Sequence, residues 1–202
     1  EMVEHQKYFP VEKEDGTLKN IFIITSNNKP TGKIREGNQK ALSPRLADGV
    51  SLYEQDLGTS LEEMNEKLKQ VTFQKELGSV YDKVKRLVAH ASVIQKHLNT
   101  SSPEKVKRAA LFCKADLTSK MVYEFPELQG VMGRYYALAH GEDKEVAQAI
   151  DEHWMPRGEH APLPQTETGI ILSLADKIDN LIGCFCAGLK PTSSSDPYAL
   201  RR

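Results

Sequence analysis

The sequence predicts a mainly α-helical protein with a small β-hairpin at its N-terminus. From about residue 35 onward, apolar residues recur with a period near 3.6, the spacing of one face of a helix. Residues 8–25 instead place two short apolar runs on either side of Asp15-Gly16, and an Asp-Gly pair between such runs is typical of a hairpin turn. The composition, 39% hydrophobic and 27% charged over 202 residues, is that of an ordinary globular protein.

We interpret the chain as three segments. Residues 1–34 contain strands at Tyr8–Val11 and Ile21–Thr25, which we expect to be the remnant of a sheet domain upstream, followed by a linker. Residues 35–190 form the helical domain. Residues 191–202, with the sequence PTSSSDP at their start, are a connector toward a C-terminal domain. The chain therefore resembles a piece of a longer protein.

The first half of the helical segment predicts three helices. The first includes Pro44, which is either tolerated early in the helix or marks a kink, and the second begins at Ser60 with Glu63 at capping-box spacing. Gly78 allows a turn before the third. Their apolar positions are Leu42, Leu46, Val50 and Tyr53, then Met64, Leu68 and Val71, then Val80, Val84, Leu87, Val88 and Ala91.

The second half predicts a central helix, a shorter one and a long last one. Ser102-Pro103 is a good helix start, and the apolar pattern continues to Val122. A helix from Asp143 to Trp154 follows. The last helix is predicted to carry one continuous apolar face and to stop at Gly188 and Pro191. That face consists of Ile170, Ile171, Leu174, Ala175, Ile178, Leu181, Ile182 and Phe185.

The stretch EFPELQGVMGRYYALAHGED, residues 124–143, leaves two interpretations open. Gly130 and Gly133 are three residues apart and form a small-residue face where a helix or an RNA backbone can approach closely. In the first interpretation this face presents Arg134 to RNA. In the second, the glycines only let two helices cross tightly, and Arg134 bridges an acid such as Glu124 or Glu127.

Charge and hydropathy narrow the functional classes. The formal net charge is −1, so any phosphate contact needs a local basic patch. The longest apolar run, GIILSLA, is too short to span a bilayer, and no signal peptide is visible. Three cysteines in apolar segments suit buried thiols in a reducing compartment: Cys113, Cys184 and Cys186. We expect a cytoplasmic protein without membrane contact.

Histidine and aspartate residues on separate helices are candidates for metal chemistry, because ligands from facing helices of a bundle can converge. AALFCKADL (109–117) and LADKIDNL (174–181) resemble the HD superfamily, whose metal-dependent phosphohydrolases carry an adjacent His-Asp pair and a later Asp. The candidates are His90, Asp116, His153, Asp176 and Asp179.

The adjacent His-Asp pair is missing. Ala115 precedes Asp116, and an alignment two residues earlier gives Cys113-Lys114. A lysine ammonium at that place would repel the cation it replaced. We therefore expect no metal at these degenerate positions, which include Asp176. We also expect no catalytic residue, since the sequence has no G-x-S-x-G, P-loop or G-x-G-x-x-G motif.

Five blocks along nearly the whole chain are similar, in order and spacing, to the β subunit of the bacterial heterotetrameric glycyl-tRNA synthetase, or to the β half of a fused form. The blocks are MVEHQKYFPV (2–11), REGNQKALSPRLADGVSLYEQDL (35–57), VTFQKELGSVYDKVKRL (71–87), KADLTSKMVYEFPELQGVMGRYYA (114–137) and LADKIDNLIGCFCAGLKPTSSSDPYALRR (174–202).

The resemblance implies an HD-like helical bundle that is degenerate at the metal positions. It also implies a part in charging tRNA with glycine. In that family glycyl-adenylate forms on the α subunit, so ATP and Mg²⁺ belong to the whole enzyme and this chain holds no cofactor. The implied partners are glycine-accepting tRNA, the α subunit or α half, and the other β domains, including an anticodon-binding domain.

Binding of tRNA requires cations that displace counterions and aromatic rings that stack on unpaired bases. The candidates are Arg134, Tyr135, Tyr136, Arg35, Lys40, Arg45, Lys83, Lys85, Arg86 and Arg157. A solvated helix face is the alternative for the lysines, and a core ring is the alternative for either tyrosine. Two other functions stay open: a metal-dependent phosphohydrolase, and a structural module that orders subunits or domains.

Overall fold

A computed structural model describes residues 8–27, 29, 31–158, 160–191, 196 and 200. Over these residues the chain is mainly helical, as the sequence predicts. Its contacts divide it into two compact units, residues 1–48 and 49–202. The domain boundaries near residues 34 and 190 remain predictions, and most of the predicted connector, 191–202, lies outside the described residues.

The first unit contains the predicted hairpin. Strands β1 (Tyr8–Glu12) and β2 (Leu18–Ile24) pair antiparallel, with Tyr8 opposite Ile24. The Asp15 carboxylate accepts a hydrogen bond from the Thr17 amide at 2.9 Å, which closes the turn. Helix α1 (Gly32–Leu57) follows and continues through Pro44. The Tyr8 hydroxyl donates to Asn38 Oδ1 at 2.8 Å, so the strand is tied to this helix.

The second unit begins with the last turns of α1 and continues with short elements. Helix α2 (Leu61–Lys67) has the predicted capping box of Ser60 and Glu63, and a 3-10 turn, Leu68–Gln70, extends it. Strands β3 (Thr72–Gln74) and β4 (Gly78–Ser79) form a second small antiparallel pair. Helix α3 (Val80–Leu98) then starts with another capping box, made by Ser79 and Asp82.

The predicted central helix is broken, so the prediction that it runs to Val122 is wrong. Helix α4 (Pro103–Phe112) is followed by a 3-10 turn, Ala115–Thr118, and by helix α5 (Lys120–Glu124). The Ser119 hydroxyl accepts from the Val122 amide at 3.1 Å and donates to the Asp116 carbonyl at 2.7 Å. Ser119 therefore caps a new helix instead of continuing the old one.

The remaining helices complete the core. A 3-10 turn, Pro126–Leu128, leads to α6 (Val131–Ala139), then α7 (Lys144–Glu152) and α8 (Glu167–Cys186). The core lies between α3, α4, α6, α7 and α8. Its largest buried side chains include Leu87, Phe112, Tyr136, Ile150, Ile171 and Leu172.

The last helix differs from its prediction in one respect. Of the eight residues predicted to share one face, only Ile171 and Ala175 are buried, whereas the other six are exposed. The pattern is helical, but most of its apolar stripe points away from the core. No helix in the described part of the chain is long and apolar enough to cross a membrane.

Candidate functional site

A buried carboxylate organises the stretch around residue 130. Asp116 is fully buried, and its Oδ2 accepts hydrogen bonds from the Gly130 and Gly133 amides at 2.6 and 3.1 Å. These amides belong to the start of α6, so Asp116 caps that helix from a distant part of the chain. Burial raises the pKa of Asp116 to about 6, although the two amide donors act in the opposite direction.

The two glycines let α6 and α7 pack closely. A Cβ at Gly130, whose φ is +80°, would overlap the Trp154 ring, and its distance to Trp154 Nε1 would be 2.9 Å. A Cβ at Gly133 would lie 2.7 Å from Ile150 Cγ2. These contacts account for both glycines as the place of a tight helix crossing, whatever the role of Arg134.

Two lysines contact Asp176, the residue that resembles the later Asp of the HD superfamily. The Lys83 Nζ lies 2.8 Å from Asp176 Oδ1, and the Lys114 Nζ lies 3.2 Å from Asp176 Oδ2. All three side chains are buried, and Lys114 also contacts the Trp154 ring at 3.7 Å from its centroid. Burial alone would raise the pKa of Asp176, but the two ammonium groups lower it below its usual range.

This arrangement does not fit a divalent metal ion. Both oxygens of Asp176 are occupied by cations, and an ion brought to them would meet two ammonium groups. Among the described residues, no three His, Cys, Asp or Glu side chains are grouped so that they could hold a metal. The Cys113 thiol is also unsuited to ligation, because burial raises its pKa to about 12.

A second buried aspartate extends the same cluster. Arg86 binds Asp179 through two nitrogens, at 2.6 Å to Oδ1 and 3.2 Å to Oδ2, and Lys83 adds a third contact at 3.0 Å. His90 Nε2 lies 3.6 Å from the same carboxylate. Burial would raise the pKa of Asp179, yet the arginine and lysine lower it. The ion pairs therefore fasten α3 to α8.

His153 is a core residue. Its ring is fully buried, and Nδ1 lies 2.6 Å from the Ile150 carbonyl oxygen. Burial, and then the nearby Lys114 ammonium, lower its pKa well below its ordinary value. The imidazole is therefore neutral, and the ring packs against Trp154 with centroids 5.0 Å apart.

Three of the tRNA-binding candidates come together on one surface, which we call the Arg134 face: Arg134, Tyr135 and Arg157. The two guanidinium groups share the carboxylate of Asp151, with Arg157 Nη2 at 2.5 Å from Oδ1 and Arg134 Nε at 3.7 Å from Oδ2. The Arg134 guanidinium also lies 5.1 Å from the centroid of the Tyr135 ring, which is 47% exposed. Two cations and one anion give this face a net positive charge.

Two other candidates are in the interior. Tyr136 is fully buried, stacks on Tyr53 and donates its hydroxyl to Asp56 Oδ2 at 2.7 Å. Lys83 is buried in the ion-pair cluster. Their side chains stabilise the core and are not available to RNA, which corrects the prediction for both. Burial, followed by the Asp56 hydrogen bond, also raises the pKa of Tyr136.

The remaining candidates are dispersed. Lys85 is exposed, and its Nζ lies 2.6 Å from Asp82 Oδ1. Arg86 forms the ion pair with Asp179 described above. The other three are exposed on α1 at intervals of five residues: Arg35, Lys40 and Arg45. Each such step turns a helix by about 140° beyond a full turn, so these three cations point to different sides.

Sequence reasoning missed Asp151, the residue that joins Arg134 to Arg157. The acids expected to bridge Arg134 were Glu124 and Glu127, which are nearer in sequence. Asp151 becomes its neighbour only because α6 and α7 pack side by side. No local spacing signals that pairing.

The comparison with known families agrees with this structure. The proteins that this chain matches are aminoacyl-tRNA synthetases. The family model described as glycyl-tRNA synthetase beta subunit matches residues 1–202. The chain belongs to that family.

Its relatives are longer proteins. It is 51% identical over 203 residues to the glycine–tRNA ligase beta subunit of Syntrophomonas wolfei subsp. wolfei, and 49% identical over 210 residues to that of Trichodesmium erythraeum. It is 50% identical over 205 residues to the glycine–tRNA ligase of Chlamydia pneumoniae. All of this chain is covered in each case, but only 30%, 29% and 20% of those proteins, respectively.

Proposed function

We propose that this chain is the tRNA-binding and scaffolding part of a glycine–tRNA ligase, which joins glycine to tRNA in a reaction driven by ATP. This proposal rests on the family match over residues 1–202. It also rests on the relatives named glycine–tRNA ligase, to which about half of the residues of this chain are identical. On the basis of the resemblance of the blocks quoted above, we propose that glycine activation, with its ATP and Mg²⁺, takes place on the α subunit or α half. The setting is cytoplasmic.

The Arg134 face is the best candidate for the tRNA contact. Asp151 holds two guanidinium groups side by side, and the side chains of Arg134 and Arg157 remain 30% and 34% exposed. Guanidinium groups recognise phosphate oxygens through paired N–H donors, and the neighbouring Tyr135 ring is exposed enough to stack on an unpaired base. The chemistry of the face is therefore suited to a sugar-phosphate backbone that carries an unstacked nucleotide.

The competing functions are less well supported. A metal-dependent phosphohydrolase requires a carboxylate that is free to bind the ion, whereas Asp176 is held by Lys83 and Lys114. A purely structural module agrees with the ion pairs of Arg134, but it does not require the exposed Tyr135 or a second guanidinium on the same carboxylate. The partners that we propose are tRNA, the α subunit or α half, and the remaining β domains.

The test is Arg134→Ala in the full-length ligase. We expect a several-fold rise in the dissociation constant for tRNA. The dependence of log K on log salt should flatten by about one unit, the effect of losing one phosphate contact. The matched control is Arg108→Ala, because Arg108 is also a partly exposed, ion-paired arginine, 2.6 Å from Glu142.

Unchanged tRNA affinity and salt dependence in a folded Arg134→Ala enzyme would contradict the tRNA-binding role of this face. If such a variant instead lost association with the α subunit, the structural module would be the better description. Circular dichroism of both variants verifies that they are folded.

A further inference from the structure

Helix α8 carries an apolar stripe that the described residues leave uncovered. Six large side chains on it are 39–57% exposed: Ile170, Leu174, Ile178, Leu181, Ile182 and Phe185. They recur at helical spacing over about 22 Å of helix and occupy a sector of about 120°. Contiguous exposed apolar surface of this kind marks an interaction site, whereas single exposed leucines do not.

The stripe has little polar character along its length. Glu167, in the first turn of α8, is the one charged residue in the same sector of the helix. Lys177 lies at the edge of the sector and donates instead to the Met155 carbonyl, at 2.7 Å. A stripe without cations does not suit RNA, which requires them. Its composition is that of a permanent interface, which is more hydrophobic than a transient one.

We infer that the stripe is the docking surface for an apolar face of another domain of the same ligase polypeptide. The relatives align over 203 and 205 residues with this chain of 202, so the alignments leave no room for an inserted segment that would cover α8. This chain corresponds to 30% and 20% of their lengths. Most of each relative's polypeptide therefore lies outside the segment that this chain matches, and it supplies the further domains from which we infer the occupant.

A domain of the same polypeptide is favoured over a separate protein for two reasons. Covalent linkage keeps its local concentration near the millimolar range, so an apolar contact of modest area is sufficient. A permanently covered stripe also avoids the aggregation that exposed apolar surface promotes in a free subunit. The inference depends on family membership and on the geometry of α8, and tRNA binding does not enter it.

The test uses photo-crosslinking in the full-length ligase. The photoreactive amino acid p-benzoylphenylalanine replaces Leu181 in one variant and Ile178 in a second, and Lys107, an exposed residue of α4, in the control. We expect both stripe variants to give cross-links within one polypeptide, which mass spectrometry maps outside residues 1–202. The Lys107 variant should give none of these cross-links. Retained glycine charging verifies that each variant is folded.

Three results would overturn the inference. Cross-links that map within residues 1–202 would mean that this segment covers its own stripe. Products of higher mass would identify a second copy or another subunit as the occupant. A folded, active enzyme without cross-links at either position would show that the stripe is exposed to solvent.

Discussion

Replacing Gly130 with alanine tests the packing of α6 against α7 most directly. Gly130 has a φ of +80° and a ψ of −45°, a sparsely populated conformation that costs an L-residue about 1–3 kcal/mol. The new Cβ would also overlap the Trp154 ring, which is held between Lys114 and His153 and has little room to move. Overpacking of that kind costs about 1–3 kcal/mol. We expect a total loss of about 2–6 kcal/mol in the free energy of unfolding.

The assay is urea denaturation followed by circular dichroism, and two further variants separate the contributions. Gly141 has a φ of +84°, but a Cβ added there would have no neighbouring atom within 4 Å, so Gly141→Ala carries the backbone cost alone. In a protein that already carries Trp154→Ala, Gly130→Ala should cost less than in the wild type, because the ring that the new Cβ would overlap is absent. If Gly130→Ala and Gly141→Ala are equally mild, or if Trp154→Ala brings no relief, the proposed close packing is refuted.

Three more substitutions test the buried polar groups by the same denaturation assay. The pKa of Asp116 is raised from 3.8 to about 6, so its contribution to stability is complete below pH 3.8 and is lost as the pH rises through 6. The full loss amounts to about 3 kcal/mol, of which about 2 kcal/mol falls between pH 4.5 and pH 8, and Asp116→Asn should abolish the difference in stability between these two pH values. Lys114→Met removes one partner of the buried Asp176 and should lower the free energy of unfolding by about 3 kcal/mol. Adding Asp176→Asn to this variant should recover part of that loss. If Lys114→Met left the stability unchanged, the ion pair would be contradicted. Tyr136→Phe removes the hydrogen bond to Asp56 and should cost about 1.5–3 kcal/mol, while an unchanged stability would mean that the bond contributes nothing.

Local sequence signals predicted the features that local physics determines. Asp15-Gly16 predicted the hairpin, and the spacing of Ser60 and Glu63 predicted a capped helix start, because each involves backbone groups within a few residues. The period of the apolar residues likewise predicted α3 and α8. These signals do not depend on how distant segments pack.

The predictions that were wrong concern residues whose partners are far away in sequence. The apolar period continues across Ser119 because the segments on both sides face the same core, so periodicity could not reveal the helix break there. Lys83 has the appearance of a solvated helix residue until its partner Asp179, 96 residues later, is brought beside it. The Arg134 face needed the packing of α6 and α7 before Arg157 could join it.

The buried ion pairs also determine which side of α8 faces outward. A buried carboxylate requires hydrogen-bond donors or cations, and Asp176 and Asp179 find theirs by facing Lys83 and Arg86 on α3. That requirement fixes the rotation of α8 about its own axis. Since residues five apart lie about 140° around a helix, directing Asp176 inward directs Leu181 outward. The intact cluster therefore keeps the stripe on the outer side of α8, where it is available for docking.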